Sequence, residues 1–298
     1  MLLNKVGEFG LIERFKKHIK TDPSVIVGSG DDCAVLKFKK DRYQLFTCDM
    51  IVEGVDFTLR DKLELIGRKS LAISLSDIAS CAGIPRHAVV SMGIPKRMRV
   101  EDVEKVAKGL LTLANKFKVN IVGGDLSAAD KLTIDVSLLG EVEKKRLVLR
   151  KGSKIGDIIF VTGSLGGSIR GKHLKFTPRI NEARLLVANF KVNAMIDISD
   201  SLAQDLGHIL KASNVGALLY EALIPMSKEA VKTEDALYGG EEFELLFTMS
   251  LNEARKLMKK NSGIFKPIGK ITGKNSGLIL VDKFNKEKSI SPEGYRHF

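Results

Sequence analysis

Tryptophan is absent from this chain, and aromatic residues make up only 6% of it. That poverty bears on the net charge of +12. A basic protein that binds single-stranded nucleic acid needs stacking platforms between its basic residues. Here Lys and Arg are scattered, in clusters no longer than Lys144-Lys145-Arg146 or Lys259-Lys260, without interleaved aromatics. The charge therefore reads as a solvated surface that attracts anions, not as a nucleic-acid partner. Cysteine is scarce too. Cys33, Cys48 and Cys81 form no CxxC pair and leave an odd count, which excludes a disulfide framework and suits a reducing cytoplasm. The five histidines show no metal-ligand spacing, and no Ser-His-Asp arrangement is suggested, so no covalent nucleophile is assigned. No apolar run reaches membrane-spanning length, and no signal-peptide core opens the chain, so no membrane partner is expected.

What the chain does have is aspartate at the ends of apolar segments. Gly30-Asp31-Asp32, Thr47-Cys48-Asp49, Ser76-Asp77, Gly123-Gly124-Asp125 and Asp197-Ile198-Ser199-Asp200 recur along it. Carboxylates at strand ends converge on a shared crevice, where they repel unless a cation joins them. Oxygen ligands without His or Cys favour Mg²⁺ over zinc or copper. Magnesium with open coordination positions is the apparatus of phosphate chemistry, which points to an enzyme acting on a nucleotide.

Periodicity places these residues. Tyr43 to Thr47 reads as a strand, with a turn at Glu53-Gly54. Lys62 to Ala79 has helical spacing, with Leu65, Ile66, Lys69, Ala72, Ile73 and Ser76 near one side. Ala88 to Gly93 is a strand, and Glu101 to Phe117 a helix striped by Val103, Val106, Leu110, Leu113 and Phe117. Val119 to Val122 reads as a buried strand ending in a Gly-Gly-Asp bend, where a ligand can approach the backbone. Leu132 to Gly140 alternates as a half-buried strand with an open edge or face. A polar stretch from Glu141 to Lys154 divides the chain. Beyond it come a strand at Asp157 to Thr162, a helix at Pro178 to Phe190, a strand at Ala194 to Ile198, a helix from Ser199 to Ala212 capped by Ser199 or Asp200, a strand at Glu242 to Thr248 and a helix at Leu251 to Lys260. The mixture predicts an α/β (α+β) architecture in two domains, 1–143 and 144–298.

Two local features are weighed separately. Gly166-Gly167-Ser168-Ile169-Arg170-Gly171-Lys172-His173 approaches the phosphate-loop pattern but ends in His173, where a Ser or Thr hydroxyl would be required. It reads as a Gly-rich turn. Asp77 lies between apolar neighbours, and a carboxylate so placed needs a partner.

Taken in order, the motifs resemble the thiamine-monophosphate kinase family of the aminoimidazole-ribonucleotide-synthetase-like superfamily. They are Gly7-Glu8-Phe9, Gly30-Asp31-Asp32-Cys33-Ala34-Val35-Leu36, Asp49 with Val52 to Phe57, Leu75-Ser76-Asp77-Ile78-Ala79, Gly123-Gly124-Asp125, Gly156-Asp157, Asp197-Ile198-Ser199-Asp200, Gly239 to Leu245 and Gly294 to Phe298. The resemblance implies a synthetase-like fold, with an N-terminal ATP/Mg²⁺-binding α/β domain that dimerises through its sheet, and a C-terminal α/β domain. It implies direct in-line transfer of the γ-phosphoryl group of ATP to thiamine monophosphate in a cytoplasmic homodimer, with several Mg²⁺ ions. By motif position, Asp32, Thr47, Cys48, Asp49, Asp77, Asp125, Asp197 and Asp200 match metal positions. Gly124, Asp125, Arg150 and Ser199 match nucleotide contacts, and Asp56, Glu241 and Tyr295 match substrate contacts. The chain departs from the family pattern at Asp56 (usually His), Cys48 (commonly Thr), Ser201 (commonly Gly) and Glu242-Phe243 (usually Asp-Tyr). The alternative is another ATP-using member of the superfamily, a synthetase or a maturation protein.

Overall fold

The computed structural model describes residues 3–260 and 263–295. The first half runs α1 (Leu3–Lys16), β1 (Val25–Val27), β2 (Ala34–Lys37), β3 (Arg42–Val52), α2 (Leu63–Ser80), β4 (Ile84–Ile94), α3 (Val100–Phe117), β5 (Asn120–Ala128) and β6 (Thr133–Glu143). The second half runs β7 (Ile158–Thr162), α4 (Lys172–Lys175), α5 (Ile180–Asn189), β8 (Ala194–Asp197), α6 (Leu202–Ser213), β9 (Gly216–Tyr220), α7 (Thr233–Tyr238), β10 (Leu245–Met249), α8 (Leu251–Lys260), β11 (Phe265–Thr272), β12 (Leu278–Val281) and β13 (Glu287–Ser289).

The strands form two sheets. One is six-stranded in the order β1-β2-β3-β6-β4-β5, antiparallel except for β4 and β5. The other is seven-stranded in the order β13-β12-β9-β11-β7-β10-β8, antiparallel except for β12 and β9.

The two sheets are buried differently, and alternation shows how. On β10, Leu245, Phe247 and Met249 join the core shared with the first half, whereas Leu246 joins a second core under α6 and α7. The seven-stranded sheet is thus covered on both faces. On β6, Ile134, Val136 and Leu138 are buried against the helices, but their alternates Asp135, Ser137 and Leu139 are only partly covered. The six-stranded sheet has one bare face. Phe46, Met50 and Val89 stand exposed there, in or next to the register of those alternates.

Helix α2 is the element between the halves. It packs on α3, β3 and β6 on one side and on α4, α5 and β8 on the other. The α2–α3 approach is close because both crossing points are glycine. A Cβ on Gly67 would overlap the Val106 carbonyl, and one on Gly109 would overlap that of Glu64.

Several expectations need correction. The Val119–Val122 segment is not a buried strand ending in a bend. Strand β5 runs on through Gly123-Gly124-Asp125 to Ala128 as an exposed edge. Gly124 serves the pairing itself, since a Cβ there would strike the Val90 carbonyl. The Leu132–Gly140 strand has no open edge, because β6 is paired with β3 and β4. Only its face is open. Helix α6 is capped by neither Ser199 nor Asp200 but by Ser201, whose hydroxyl accepts from the Gln204 amide at 3.0 Å. The 178–190 helix begins at Ile180. The last predicted strand begins at Leu245 and not at Glu242, because Glu241 and Phe243 take left-handed φ values of 60° and 50°.

Candidate active site

Strand alternation decides which of the strand-end aspartates can meet. On β3, Thr47 faces α2, while Phe46, Cys48 and Met50 are exposed on the bare face. Asp49, two residues on from Thr47, faces α2 as well. Helix α2 answers with a line of polar groups in an otherwise apolar sequence. The Ser74 hydroxyl donates to Asp49 at 2.7 Å, the Ser76 hydroxyl donates to Asp197 at 2.6 Å, and the Thr47 hydroxyl donates to Asp77. Asp32 enters from the loop before β2. Carboxylate oxygens of Asp32, Asp77 and Asp197 all lie within 4.8 Å of one another. Residues 32, 77 and 197 therefore converge across both halves of the chain.

The cluster is electrostatically unfinished. Asp32 accepts from Arg150 Nε at 2.9 Å and pairs with its Nη2 through one oxygen, Oδ1. Its other oxygen, Oδ2, is buried and has no hydrogen-bond partner. Burial, then the charge of Asp32, pushes the Asp197 carboxyl up to about 8. Burial raises Asp49 to about 6, against the Ser74 hydrogen bond. Burial followed by the charges of Asp49 and Asp197 raises Asp77 well above the usual range. Burial and then Asp32 push Asp31 up to about 6, although its carboxylate accepts from the Arg150 amide at 3.1 Å. Each of these carboxyls is pushed up by burial and by negative neighbours, a repulsion that a bound cation would relieve. The donors are all oxygen, which suits a hard divalent ion.

Beside the cluster lies a cavity of about 580 Å³. Its lining includes Asp49, Asp56, Lys69, Ser199, Asp200, Glu241 and Tyr295. The predicted substrate positions Asp56, Glu241 and Tyr295 therefore meet in one place. Asp200 is at the same cavity and accepts from Gln204 Nε2 at 2.6 Å. Asp56 does not aim its carboxylate freely into the space, because Oδ2 accepts from the Val52 amide at 2.7 Å. Glu241 is fixed instead. Its carboxylate pairs with Lys69 Nζ, and His173 Nδ1 lies 2.9 Å from Oε2. Burial alone would raise its carboxyl, but His173 and Lys69 outweigh burial and hold it below the usual carboxylate range.

Three predicted residues stand elsewhere. The Cys48 side chain is on the bare face, where Sγ lies 3.7 Å from Asp135. Asp125 is in register with Ser91, itself in register with Asp135, so it shares that bare face. Gly124 and Asp125 are three strand spacings from β3, roughly 14 Å. Of the C-terminal motif, Arg296, His297 and Phe298 lie outside the described residues. In the Gly-rich turn the lysine is committed internally. Lys172 Nζ donates to Glu242 at 2.8 Å and to the Ser164 carbonyl at 2.8 Å, and it pairs with Glu244 at 3.0 Å. A short helix, α4, follows that turn where none was expected.

Sequence reasoning gave no role to Lys69, His173 or Ser74. The one available signal was a lysine on the apolar side of a helical pattern, since a buried lysine requires a partner.

Two family models match this architecture: the AIR synthase related protein N-terminal domain over residues 30–142, and its C-terminal domain over residues 153–281. They define the class as an AIR-synthase-related protein. Among curated relatives, a thiamine-monophosphate kinase from Rhodopirellula baltica is 37% identical, with 92% of each chain covered. One from Bacillus subtilis is 33% identical over 98% of this chain and 100% of the relative. A solved structure of AaThiL complexed with AMPPCP and TMP superposes with a TM-score of 0.87 at 30% identity, covering 100% of this chain and 99% of that one. The chain belongs to the thiamine-monophosphate kinase family.

Proposed function

We propose that this protein transfers the γ-phosphoryl group of ATP to the phosphate of thiamine monophosphate, yielding thiamine diphosphate and ADP. The observation that carries this reading is the adjacency of the Asp32–Asp77–Asp197 cluster, with its orphaned Asp32 Oδ2, to the cavity lined by Asp200, Glu241 and Tyr295. A relative of closely similar fold is described in complex with AMPPCP and TMP.

Asp32, Asp77 and Asp197, with Asp49 and Asp200 at the cavity wall, would hold Mg²⁺. Bound there, Mg²⁺ would neutralise the negative charge of two phosphates brought together. The chain's own residues do the positioning. Ser74, Ser76 and Thr47 each fix one carboxylate through a hydroxyl, so the site is set before ligands arrive. Arg150, anchored on Asp32, gives arriving nucleotide phosphate a fixed positive charge. Glu241 offers an ionised carboxylate to the cationic ring of the substrate.

A homodimer through the six-stranded sheet belongs to the same reading. Phe46, Met50 and Val89 expose a bare apolar face, with Val122 and Leu126 exposed along β5. Gly124 and Asp125 stand on this side of the molecule, so we assign their nucleotide role to the assembled dimer, and Cys48 lies on the same face. The division at 143/144 is kept as a proposed domain boundary, and a reducing cytoplasm suits the three free cysteines.

The test is incubation with ATP, Mg²⁺ and thiamine monophosphate, with identification of the products. Thiamine diphosphate and ADP in equal amounts are expected. Failure to form thiamine diphosphate across a range of metal concentrations and temperatures overturns the reading. Light scattering at micromolar concentration should give twice the chain mass, and Phe46→Lys should reduce it to one.

A further inference from the structure

Lys69 is fully buried, one of the largest side chains to be so among the described residues. An ammonium is rarely taken out of water unless several partners hold it. Lys69 Nζ donates to the Asp56 carbonyl at 2.8 Å, pairs with the Glu241 carboxylate and lies 3.2 Å from His173 Nδ1. These partners come from three separate segments: the turn after β3, the Gly239–Glu244 segment and α4. His173 is itself buried, and its Nδ1 reaches both neighbours, so the ring either accepts from the ammonium or donates to the carboxylate.

Glu241 cannot hold this position by its own backbone preference. Its φ of 60° is left-handed, a conformation costly to a residue that carries a Cβ and kept only where surroundings enforce it. Its amide donates to the Ser199 carbonyl at 2.6 Å, and its carbonyl accepts from the Ser168 hydroxyl at 2.6 Å. Backbone and carboxylate are both clamped. Among the described residues that line the cavity, Lys69 is the only basic one, set against Asp49, Asp56, Asp200 and Glu241. Its charge is committed to Glu241 and the Asp56 carbonyl, not displayed to a ligand. The cavity wall stays acidic.

Lys69 also shares a helix face with the metal-facing end of α2. Residues 69, 73 and 77 follow at intervals of four, with Ile73 on the cavity lining and Asp77 in the carboxylate cluster. One rigid helix therefore spaces the acidic wall that meets the organic ring from the carboxylates that meet phosphate and metal.

We propose that Lys69, assisted by His173, is a positioning residue for substrate recognition. It holds the Glu241 carboxylate at the cavity wall, where it selects a cationic heteroaromatic ring, and so sets affinity for thiamine monophosphate but not for ATP. This rests on the functional reading given above.

The experiment is a double-mutant cycle on the full-length protein, read as KM for each substrate. Lys69→Met, which keeps length and removes charge, should raise KM for thiamine monophosphate by about 10-fold or more. KM for ATP should change less than about 2-fold. Glu241→Gln should do the same. In the Lys69→Met/Glu241→Gln double variant the two effects should not multiply, because one acts through the other. His173→Gln, a milder change, should raise the same KM by roughly 3-fold and leave KM for ATP alone, which provides a second test if Lys69→Met does not fold. Multiplicative effects, or equal rises in both KM values, would show that Lys69 is only structural and overturn the proposal. So would an unchanged KM for thiamine monophosphate in His173→Gln and in any Lys69→Met protein that folds. Wild-type turnover separates the two claims: without thiamine diphosphate from the wild type, both fall, whereas with it the variants judge Lys69 alone.

Discussion

Two groups of buried carboxylates in this protein are treated in opposite ways. Glu242 and Glu244, at the root of β10, are paired with cations, Lys172 reaching both. Glu244 accepts from Arg179 at 2.7 and 2.9 Å, from the Thr162 hydroxyl at 2.6 Å, and lies 3.0 Å from Lys172. Glu143 is similarly gripped by Arg184 at 2.8 Å through both oxygens, and the Arg184 hydrogen bonds hold its carboxyl down at about 2. Asp32, Asp77 and Asp197 instead face one another, Asp49 adds its charge to Asp77, and the Arg150 guanidinium is bonded to Asp32. A chain with 48 basic residues does not lack cations to place there. Acid that has been paired holds the fold, whereas acid left facing acid is reserved for something that arrives later.

The strongest way to test this contrast is to take one charge from the unpaired group. Asp77→Asn should reduce phosphoryl transfer about 10²- to 10³-fold, as expected when one electrostatic contact to a reacting centre is lost. The metal-free protein should meanwhile become more stable, because a buried carboxylate pushed up by its neighbours has been removed. Steady-state kinetics beside thermal unfolding in chelator checks both signs. Near-normal turnover would place Asp77 with the structural acids.

The reciprocal experiment acts on the paired group. Arg179→Met leaves Glu244 buried with Lys172 and Thr162 alone, and should cost about 2–3 kcal/mol of stability. The Mg²⁺ dependence of turnover should be unaffected at temperatures where the variant remains folded. Chemical denaturation measures the first quantity, and a magnesium titration of rate the second.

Sequence alone reached the members of the unpaired group more readily than their company. Asp32, Asp77 and Asp197 were legible because each interrupts or ends an apolar segment, where an unpartnered carboxylate is costly. Helices α2 and α3 were legible from their period. What the sequence did not show was which face of the sheet each residue takes. Cys48 lies between Thr47 and Asp49 in sequence, yet alternation sends it to the opposite side of the sheet. Asp125 lies on the bare face because Gly123-Gly124, read as a bend, continues the strand, with Gly124 admitting the neighbouring one. The Lys69–Glu241 pair joins residues 172 apart, and no local pattern announces which carboxylate a buried lysine will meet.

Acidity offers a third test, because the two groups should respond to pH in opposite directions. The folded-state pKa of Asp197 is raised from 3.8 to about 8, and that of Asp49 from 3.8 to about 6. The folded chain thus keeps protons that the unfolded chain has released. Their contribution to stability is fully present below about pH 3.8 and is lost as pH rises through 6 and then 8. Glu143, lowered from 4.5 to about 2, contributes stability above pH 4.5 that disappears as pH falls toward 2. In chelator, Tm should therefore decline from pH 5 to pH 8.5. Saturating Mg²⁺ at pH 8.5 should recover roughly 5–10 °C, the effect of a ligand at about a hundred times its dissociation constant. A flat profile, or no recovery with Mg²⁺, would remove the electrostatic distinction between the groups.

The smallest effect is expected at Asp56, which sits between the two groups. It lines the proposed substrate cavity, yet its carboxylate accepts from the Val52 amide at 2.7 Å. A carboxylate so occupied is a local turn support and only accepts hydrogen bonds, so it has nothing to donate to a phosphate. Its backbone carbonyl, not its side chain, takes part in the cavity by receiving Lys69. Asp56→Ala should accordingly cost about 1 kcal/mol through the unsatisfied Val52 amide. It should leave both KM for thiamine monophosphate and the half-saturating Mg²⁺ concentration within about 2-fold of the wild type, since the carbonyl that holds Lys69 remains. A raised magnesium requirement in Asp56→Ala would mean that the side chain leaves Val52 to meet a metal when substrate binds, and would move Asp56 into the group of acids kept for a ligand.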